Sequence, residues 1–262
     1  MNINLTNKNA YVGGGSKGIG LASAVELANL GANVTLVSRG EQGLQEAVKH
    51  LDTSKGQKHR ILAVDYSNLD NLELKLKEAI SKVGVFHIIV NNTGGPAGGL
   101  IQNANLEEFK SAFNNHLLAN HLIVQTFLPK MKEANYGRII NIISTSVKIP
   151  LANLGVSNTI RGAVASWSKT MANELGEYGI TVNNVLPGAT ATERLESIIQ
   201  TKADKTGAEI EAVERSMKSI IPMKRFAEPN EVGAVVAFLA SPAASYVNGV
   251  SIPVDGGRTG SI

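Results

Sequence analysis

The chain has 262 residues and no cysteine, which excludes a disulfide scaffold, a thiolate metal site and a cysteine nucleophile. Its 25 Lys and Arg residues against 22 Asp and Glu residues give a net charge of +3, and the cations are scattered, so we expect no nucleic-acid partner. No apolar run approaches the ~18 residues that a membrane span needs, and the segment MNINLTNKNA lacks the apolar core of a signal peptide. We therefore expect a cytoplasmic protein that does not bind membranes.

Short β-branched runs alternate along the chain with longer segments of helical period. The predicted strands are Asn9–Gly13, Asn33–Ser38, Arg60–Val64, Val85–Val90, Arg138–Ile143, Thr181–Leu186 and Val250–Val254. The predicted helices are Gly18–Leu30, Gln42–Leu51, Leu69–Lys82, Leu106–Ala134, Gly155–Tyr178 and Asn230–Ala240. This alternation is typical of repeated βαβ units, and continuous apolar strands indicate a sheet covered on both faces. The sequence therefore predicts a doubly wound α/β fold, with a predominantly parallel sheet of seven strands.

A glycine-rich loop, GGGSKGIG at residues 13–20, joins the first predicted strand to the first predicted helix. Small residues permit a tight turn and let the backbone approach a pyrophosphate, whose charge is met by N–H groups at the helix N-terminus. The alternative is a loop whose glycines serve turn geometry alone. The order of strand, loop and helix favours a dinucleotide site.

The same loop resembles the Gly-x-x-x-Gly-x-Gly motif of the short-chain dehydrogenase/reductase family, although Gly13 stands where the family usually has threonine. The segment 91–94, Asn-Asn-Thr-Gly, resembles the family's Asn-Asn-Ala-Gly motif, and the ending Val-Asp-Gly-Gly at 254–257 also fits. The resemblance covers nearly the full chain and is closest to members like 3-oxoacyl-carrier-protein reductase. It implies one Rossmann-type, dinucleotide-binding domain over residues 1–262, and reduction of a carbonyl to an alcohol or the reverse. The cofactor contacts it implies are Gly14, Ser16, Lys17, Gly18, Ile19, Gly20, Ser38, Arg39, Asp65, Tyr66, Asn91, Thr93, Gly94, Arg161, Pro187, Gly188 and Thr192.

The end of the second strand indicates which dinucleotide binds. A site for NAD usually places an acid there to accept from the ribose 2′-hydroxyl, but this chain has Ser38 and Arg39, with Lys17 in the neighbouring loop. Each charge-assisted bond of ~1.5–3 kcal/mol would favour a 2′-phosphate roughly tenfold or more. The alternative is that both cations are solvated surface charges. We predict NADP(H) rather than NAD(H).

The family's chemistry uses a serine, a tyrosine, a lysine one helical turn after that tyrosine, and an asparagine in the preceding long helix. Ser144 takes the serine position at the end of the fifth predicted strand. Ser157 falls at the tyrosine position, Arg161 at the lysine position and His116 at the asparagine position. A shift of one residue would place Asn115 there instead, but neighbours on a helix point about 100° apart, so only one of the two can face the site.

These departures change the chemistry that the resemblance implies. A serine hydroxyl is a far poorer proton donor than a phenol, and arginine stays protonated. Losing a positioned acid typically costs ~10²–10⁴ in rate. The family's proton transfer therefore does not carry over to this chain.

Two hypotheses remain. In the first, the protein is an active NADP(H) oxidoreductase: His116 donates the proton because its ordinary pKa lies near 6.5, Ser144 and Ser157 bind a carbonyl oxygen, and Arg161 stabilises the alkoxide. In the second, it is a dinucleotide-binding module with little turnover, a sensor or a partner subunit. His116 as an ordinary helix histidine and Ser144 as a strand-end cap are the structural alternatives. We favour the enzyme because all four positions keep polar side chains.

The segment after the sixth predicted strand and two apolar stripes bear on the substrate and on the partners. The charged segment Thr192–Phe226, helical in pieces, lies where the family has its substrate loop, and the resemblance implies a small carbonyl or alcohol substrate. The apolar stripes of 117–128 and 164–175 resemble the helices through which family members form tetramers, so we expect a homo-oligomer, a tetramer or a dimer. We predict no metal site, because His116 and His121 do not share a helix face.

Overall fold

Seven strands form one parallel sheet in the computed structural model, which describes residues 1–261. The strands are β1 (Asn9–Gly13), β2 (Asn33–Ser38), β3 (Arg60–Ala63), β4 (Ile88–Asn91), β5 (Gly137–Ile142), β6 (Ile180–Pro187) and β7 (Ser251–Val254). Their order across the sheet is β3-β2-β1-β4-β5-β6-β7, and every neighbouring pair runs parallel. The winding reverses between β1 and β4, and in such sheets ligands bind outside the carboxyl ends of the strands at this reversal.

Nine α-helices accompany the strands in the described residues. They are α1 (Gly18–Asn29), α2 (Glu41–Ala47), α3 (Leu69–Val83), α4 (Leu106–Phe113), α5 (Ala119–Glu133), α6 (Gly155–Leu175), α7 (Glu193–Thr206), α8 (Ile210–Ser219) and α9 (Pro229–Ala240). Across residues 1–261, none of them combines the length and the apolar character of a membrane-spanning helix.

The helices cover both faces of the sheet. Side chains of α1, α2 and α9 pack against one face, and those of α3, α5 and α6 pack against the other. Alternate residues of one strand therefore enter different cores: in β1, Val12 joins the first and Tyr11 the second. This two-sided burial explains why the strands have continuous apolar sequences, and it confirms the predicted fold class.

The predicted helix Leu106–Ala134 is wrong in one respect. A π-helical turn at Asn114–Leu118 separates α4 from α5. The Asn114 amide donates to the Ser67 carbonyl oxygen over 3.1 Å, and the side chain of His116 is buried. Single π turns inside α-helices occur often at functional sites, since the extra residue turns a chosen side chain inward. The sequence periodicity is continuous here, so it did not reveal the turn.

The charged segment after β6 forms two helices, α7 and α8. Their apolar residues make a small cluster of their own, in which Leu195, Ile199 and Ala203 of α7 meet Val213 of α8. The cluster is separate from the two cores beside the sheet, so this segment lies as an added layer, which the sequence predicted only as helical pieces.

Candidate active site

The glycine loop between β1 and α1 has a backbone that larger residues could not adopt. Gly14 and Gly18 have φ angles of +58° and +57°, in the left-handed region. A Cβ on Gly20 would lie 2.1 Å from the Gly14 carbonyl oxygen. No side chain caps the N-terminus of α1, so its first N–H groups stay available to a ligand. The backbone of this loop is therefore compatible with a bound pyrophosphate.

Asn92 supports this loop and was missed as a site residue. Its side-chain Nδ2 donates to the Gly13 carbonyl oxygen over 3.1 Å, and a Cβ on Gly14 would lie 2.5 Å from the same nitrogen. Asn92 thus fixes the loop after β4 against the loop after β1. Its place in the motif at 91–94 was the available signal.

The neighbouring Asn91 belongs to a chain of buried amides across the sheet. Its Nδ2 donates to Asn141 Oδ1 over 2.8 Å, and Asn141 Nδ2 donates to Asn184 Oδ1 over 3.1 Å. These residues stand opposite one another in the registers of β4, β5 and β6. The Nδ2 of Asn91 is therefore engaged inside the sheet, whereas its buried Oδ1 has no hydrogen-bond partner among the described residues.

The carboxyl ends of β2 and β3 bring Ser38, Arg39 and Asp65 to one corner. Arg39 is exposed. The pKa of the Asp65 carboxyl is lowered, first by the Ser67 N–H, which donates to Asp65 Oδ1 over 2.9 Å, and also by the charge of Arg39. This corner lies beside the glycine loop, since the Gly15 N–H donates to the Val37 carbonyl oxygen over 3.0 Å.

Tyr66 does not present its side chain at this corner. Its hydroxyl lies 2.7 Å from the Tyr11 hydroxyl in the core, where burial raises the pKa of both phenols. The ring of Tyr66 therefore packs in the core, and the cofactor contact predicted for this residue is expected from its backbone.

The N-terminus of α7 contacts the glycine loop and the loop after β4. Glu193 forms an exposed ion pair with Lys17. Arg194 Nη2 donates to the Pro96 carbonyl oxygen over 3.1 Å, and Thr192 caps α7 by accepting from the Leu195 N–H. Lys17 is therefore not a free cation, and Glu193 is an acid at the predicted phosphate site that sequence reasoning missed.

His116 lies inside the fold on the π-helical turn, 2 % exposed. Its Nδ1 is 2.5 Å from Thr93 Oγ1. Burial lowers the pKa of His116 to about 3, and the charge of Arg161 adds to this effect. The imidazole is therefore neutral near pH 7, whereas the expectation from the sequence used the ordinary pKa of histidine. The neighbouring Asn115 has a buried Oδ1 without a hydrogen-bond partner in the described residues.

Arg161 and Ser157 lie one turn apart on the same face of α6. Arg161 Nη1 donates to the Ile142 carbonyl oxygen at the end of β5 over 3.0 Å. Burial lowers the pKa of the Arg161 guanidinium to about 10, so it remains charged at neutral pH. Within residues 1–261, no carboxylate oxygen lies within the 4.0 Å of a salt bridge to Arg161.

The two serines differ in their present contacts. Ser144 Oγ accepts from the Ser146 N–H over 3.1 Å and so caps the short turn Thr145–Val147, which leaves its hydroxyl proton to donate elsewhere. Ser157 is half-buried, and its hydroxyl makes no hydrogen bond to another described residue. α6 packs against both the π-helical turn and the turn after Ser144. The four predicted catalytic positions therefore lie on neighbouring elements at the carboxyl ends of β4 and β5.

Two further points concern the predicted contacts after β6 and the predicted absence of a metal site. Pro187 ends β6, and Gly188 lies against Asp255, since a Cβ on Gly188 would be 2.7 Å from the Asp255 Cβ. His121 points to α6, where its Nδ1 accepts from Trp167 Nε1 over 3.3 Å. Over the part of the chain that the structure describes, no three His, Asp or Glu side chains are placed to hold a metal ion.

Comparison with known proteins agrees with this geometry. A family model described as Enoyl-(Acyl carrier protein) reductase matches residues 14–259. The NADPH-dependent reductase BacG of Bacillus subtilis (strain 168) is 32% identical over 260 residues, which is 98% of this chain and 100% of the relative. The 3-oxoacyl-[acyl-carrier-protein] reductase FabG of Staphylococcus epidermidis (strain ATCC 12228 / FDA PCI 1200) is 32% identical over 253 residues, 96% of this chain and 98% of the relative. Among solved structures, the L-sorbose reductase of Gluconobacter frateurii in complex with NADPH and L-sorbose superposes with a TM-score of 0.93 at 29% identity, with 100% of both chains covered.

Proposed function

Since the chain belongs to the short-chain dehydrogenase/reductase family, we propose that it is an NADP(H)-dependent reductase that converts a carbonyl group to an alcohol with an unusual set of site residues. The observation that carries this proposal is that Ser144, Ser157, Arg161 and His116 lie on neighbouring elements at the carboxyl ends of β4 and β5. A Rossmann-type sheet binds its ligands outside the carboxyl ends of its strands.

The residues at the cradle fit a dinucleotide with a 2′-phosphate. The glycine loop and the uncapped N-terminus of α1 suit the pyrophosphate, and Arg39 with Ser38 would contact the 2′-phosphate. The cofactors named for two similar proteins support this choice, since BacG is an NADPH-dependent reductase and the L-sorbose reductase was solved with NADPH. When bound, NADPH supplies the hydride, and the chemistry of hydride transfer belongs to it.

The side chains of this chain would bind and polarise the carbonyl oxygen. Ser144 and Ser157 offer hydroxyl protons, and Arg161 adds a full positive charge at the same place. Hydrogen-bond donors fixed at the point where negative charge develops are typically worth ~10²–10³ in rate each. These groups thus stabilise the negative charge that develops on the reacting oxygen, although none of them acts as a general acid near pH 7.

His116 acts in this proposal as a neutral hydrogen-bond donor. If the Thr93 hydroxyl donates to Nδ1, the proton of the ring sits on Nε2, which can then donate to the substrate oxygen. A histidine with a pKa of about 3 does not deliver a proton by ionising near pH 7. The proton that completes the alcohol therefore comes from water.

The test is NADPH oxidation with a panel of ketones, aldehydes and 3-oxoacyl thioesters at saturating cofactor. We expect turnover by the wild type and a loss of roughly 10²-fold or more in kcat for Ser144→Ala. Ser166→Ala is the matched control, since Ser166 is exposed on α6 away from this cluster. Equal rates for Ser144→Ala and the wild type would remove Ser144 from the mechanism.

One observation favours a second function, a dinucleotide-binding module without turnover. Neither His116 nor Arg161 has a pKa suited to general acid catalysis near pH 7, since that of His116 falls to about 3 and that of Arg161 lies at about 10. Tight NADPH binding combined with no oxidation across the whole panel would establish this function instead.

A further inference from the structure

Arg161 carries a buried charge that the protein does not balance. Its exposed fraction is 8 %, and burial is the one cause of its lowered pKa. The pKa of the adjacent His116 is lowered by burial and by Arg161. In the described part of the chain, no carboxylate raises the pKa of either group, and the site holds one net positive charge.

The acidic side chains on the surrounding elements are engaged elsewhere. Glu193 pairs with Lys17, Glu108 accepts from the Asn105 N–H over 2.8 Å, and Asp255 accepts from the N–H groups of Gly257 and Thr259. These acids are fixed by contacts of their own, so they do not supply the missing negative charge.

The second buried arginine, Arg138, has contacts typical of a structural residue. Arg138 Nη1 donates to the carbonyl oxygens of Gly137 and Gly179, at 2.7 Å and 3.1 Å, and the guanidinium lies 4.3 Å from the centre of the Tyr136 ring. Arg161 has one such contact, to Ile142, and its Nη2 and Nε make no hydrogen bond to another described residue. Its Nη2 faces the loop after β4, where a Cβ on Gly95 would lie 3.7 Å away.

A buried charge without a partner has a high free-energy cost, which a ligand of opposite charge would offset. The reduced nicotinamide and its ribose carry no negative charge, so the cofactor does not provide the anion at this place. The planar fork of arginine matches a carboxylate better than it matches a lone hydroxyl.

We propose that Arg161 binds a carboxylate of the substrate through its free Nη2 and Nε edge, so that the protein selects carbonyl compounds that carry a carboxylate. This inference rests on the proposed reductase function. Ser144, Ser157 and His116 donate to the carbonyl oxygen, and Arg161 binds the acid group of the same molecule while its charge still stabilises the nearby reacting oxygen. The hydride adds to the carbonyl carbon, water protonates the oxygen, and the carboxylate is unchanged.

The experiment compares each acid with its neutral ester. The kcat/KM for NADPH oxidation is measured with acetoacetate against ethyl acetoacetate, and with pyruvate against ethyl pyruvate, for the wild type, Arg161→Gln, Arg161→Lys and the control Lys169→Gln. We expect the wild type and Lys169→Gln to prefer an acid at least tenfold. Arg161→Gln should lose activity on both classes, because Arg161 also stabilises the reacting oxygen. Its loss on the acids should be roughly tenfold or more larger than its loss on the esters, with Arg161→Lys in between.

A binding measurement separates failure of this inference from failure of the proposed function. Calorimetric titration of the protein–NADP⁺ complex, which has no hydride to transfer, with each acid and ester reads affinity without turnover. Preferential binding of an acid that Arg161→Gln abolishes supports the anion site even if nothing is reduced. Equal treatment of acid and ester by the wild type, or an equal loss on both in Arg161→Gln, overturns the inference while leaving the reductase proposal intact.

Discussion

The Nδ1 atom of His116 and the Oγ1 atom of Thr93 lie 2.5 Å apart, and their hydrogen bond joins the π-helical turn to the loop after β4. Burial of the His116 ring, together with the charge of Arg161, lowers its pKa to about 3 and so keeps the imidazole neutral near pH 7. In the proposed mechanism the histidine at the family's asparagine position acts as a neutral donor, and the following expectations depend on that state.

The pH dependence of the rate tests this state. We expect kcat/KM for NADPH oxidation to show no ionisation of His116 between about pH 5 and 8, the range in which an ordinary histidine titrates. The His116→Asn variant keeps a neutral donor, so its profile should have the same shape at a lower rate. A limb near pH 6.5 in the wild type that disappears in His116→Asn would contradict the neutral histidine.

The same pKa predicts how stability depends on pH. The unfolded chain binds a proton at His116 near pH 6.5, whereas the folded chain does so near pH 3, so stability is lost as the pH falls below 6.5. At pH 5 this loss amounts to about 2 kcal/mol. His87, whose pKa burial lowers to about 4, acts in the same direction. Urea unfolding of wild type and His116→Asn at pH 7 and pH 5 checks this, since the variant should lose about 2 kcal/mol less.

The choice of dinucleotide should depend on Arg39. We expect Arg39→Asp to weaken NADPH binding tenfold or more and to affect NADH much less, because the new carboxylate repels the 2′-phosphate. The control Lys58→Asp makes the same change of charge on an exposed residue before β3, at the amino ends of the strands, whereas Arg39 lies at their carboxyl ends. Fluorescence titration with both cofactors gives the two affinities, and an unchanged NADPH affinity in Arg39→Asp would show that the phosphate lies elsewhere.

Glu193 should compete with the cofactor phosphate for Lys17. Because the pair is exposed, its net worth is about 1 kcal/mol or less, and we expect Glu193→Gln to tighten NADPH binding by roughly two- to fivefold. Glu196→Gln, on the first turn of the same helix, is the matched control. The gain should exceed any change for NADH; an equal gain for both cofactors would mean that Lys17 does not contact the 2′-phosphate.

The sequence predicted what local pattern determines and missed what long-range contact determines. The strand, the glycines and the helix of residues 9–29 follow one another directly, so the cradle was predictable from spacing. The pairing of Lys17 with Glu193 joins residues 176 positions apart, and no local pattern indicates it.

Two site residues show the same limit at the level of side-chain direction. Tyr66 follows a strand end beside the cofactor corner, yet its ring enters the core to meet Tyr11, since the strand's alternation continues past its last residue. The π-helical turn at 114–118 buries His116 and so alters its pKa, although the residues around it have a continuous helical period. Burial and pKa depend on tertiary packing, which the sequence does not display.

The most direct test of the central claim compares NADPH consumption by the wild type and the Ser157→Tyr/Arg161→Lys double variant. Both proteins are assayed at saturating cofactor with the panel of carbonyl compounds. A reductase that works with its own site residues predicts turnover by the wild type that the double variant does not raise. A silent wild type beside a double variant that gains activity would contradict it, because the fold would then be competent for a chemistry that the native side chains do not perform.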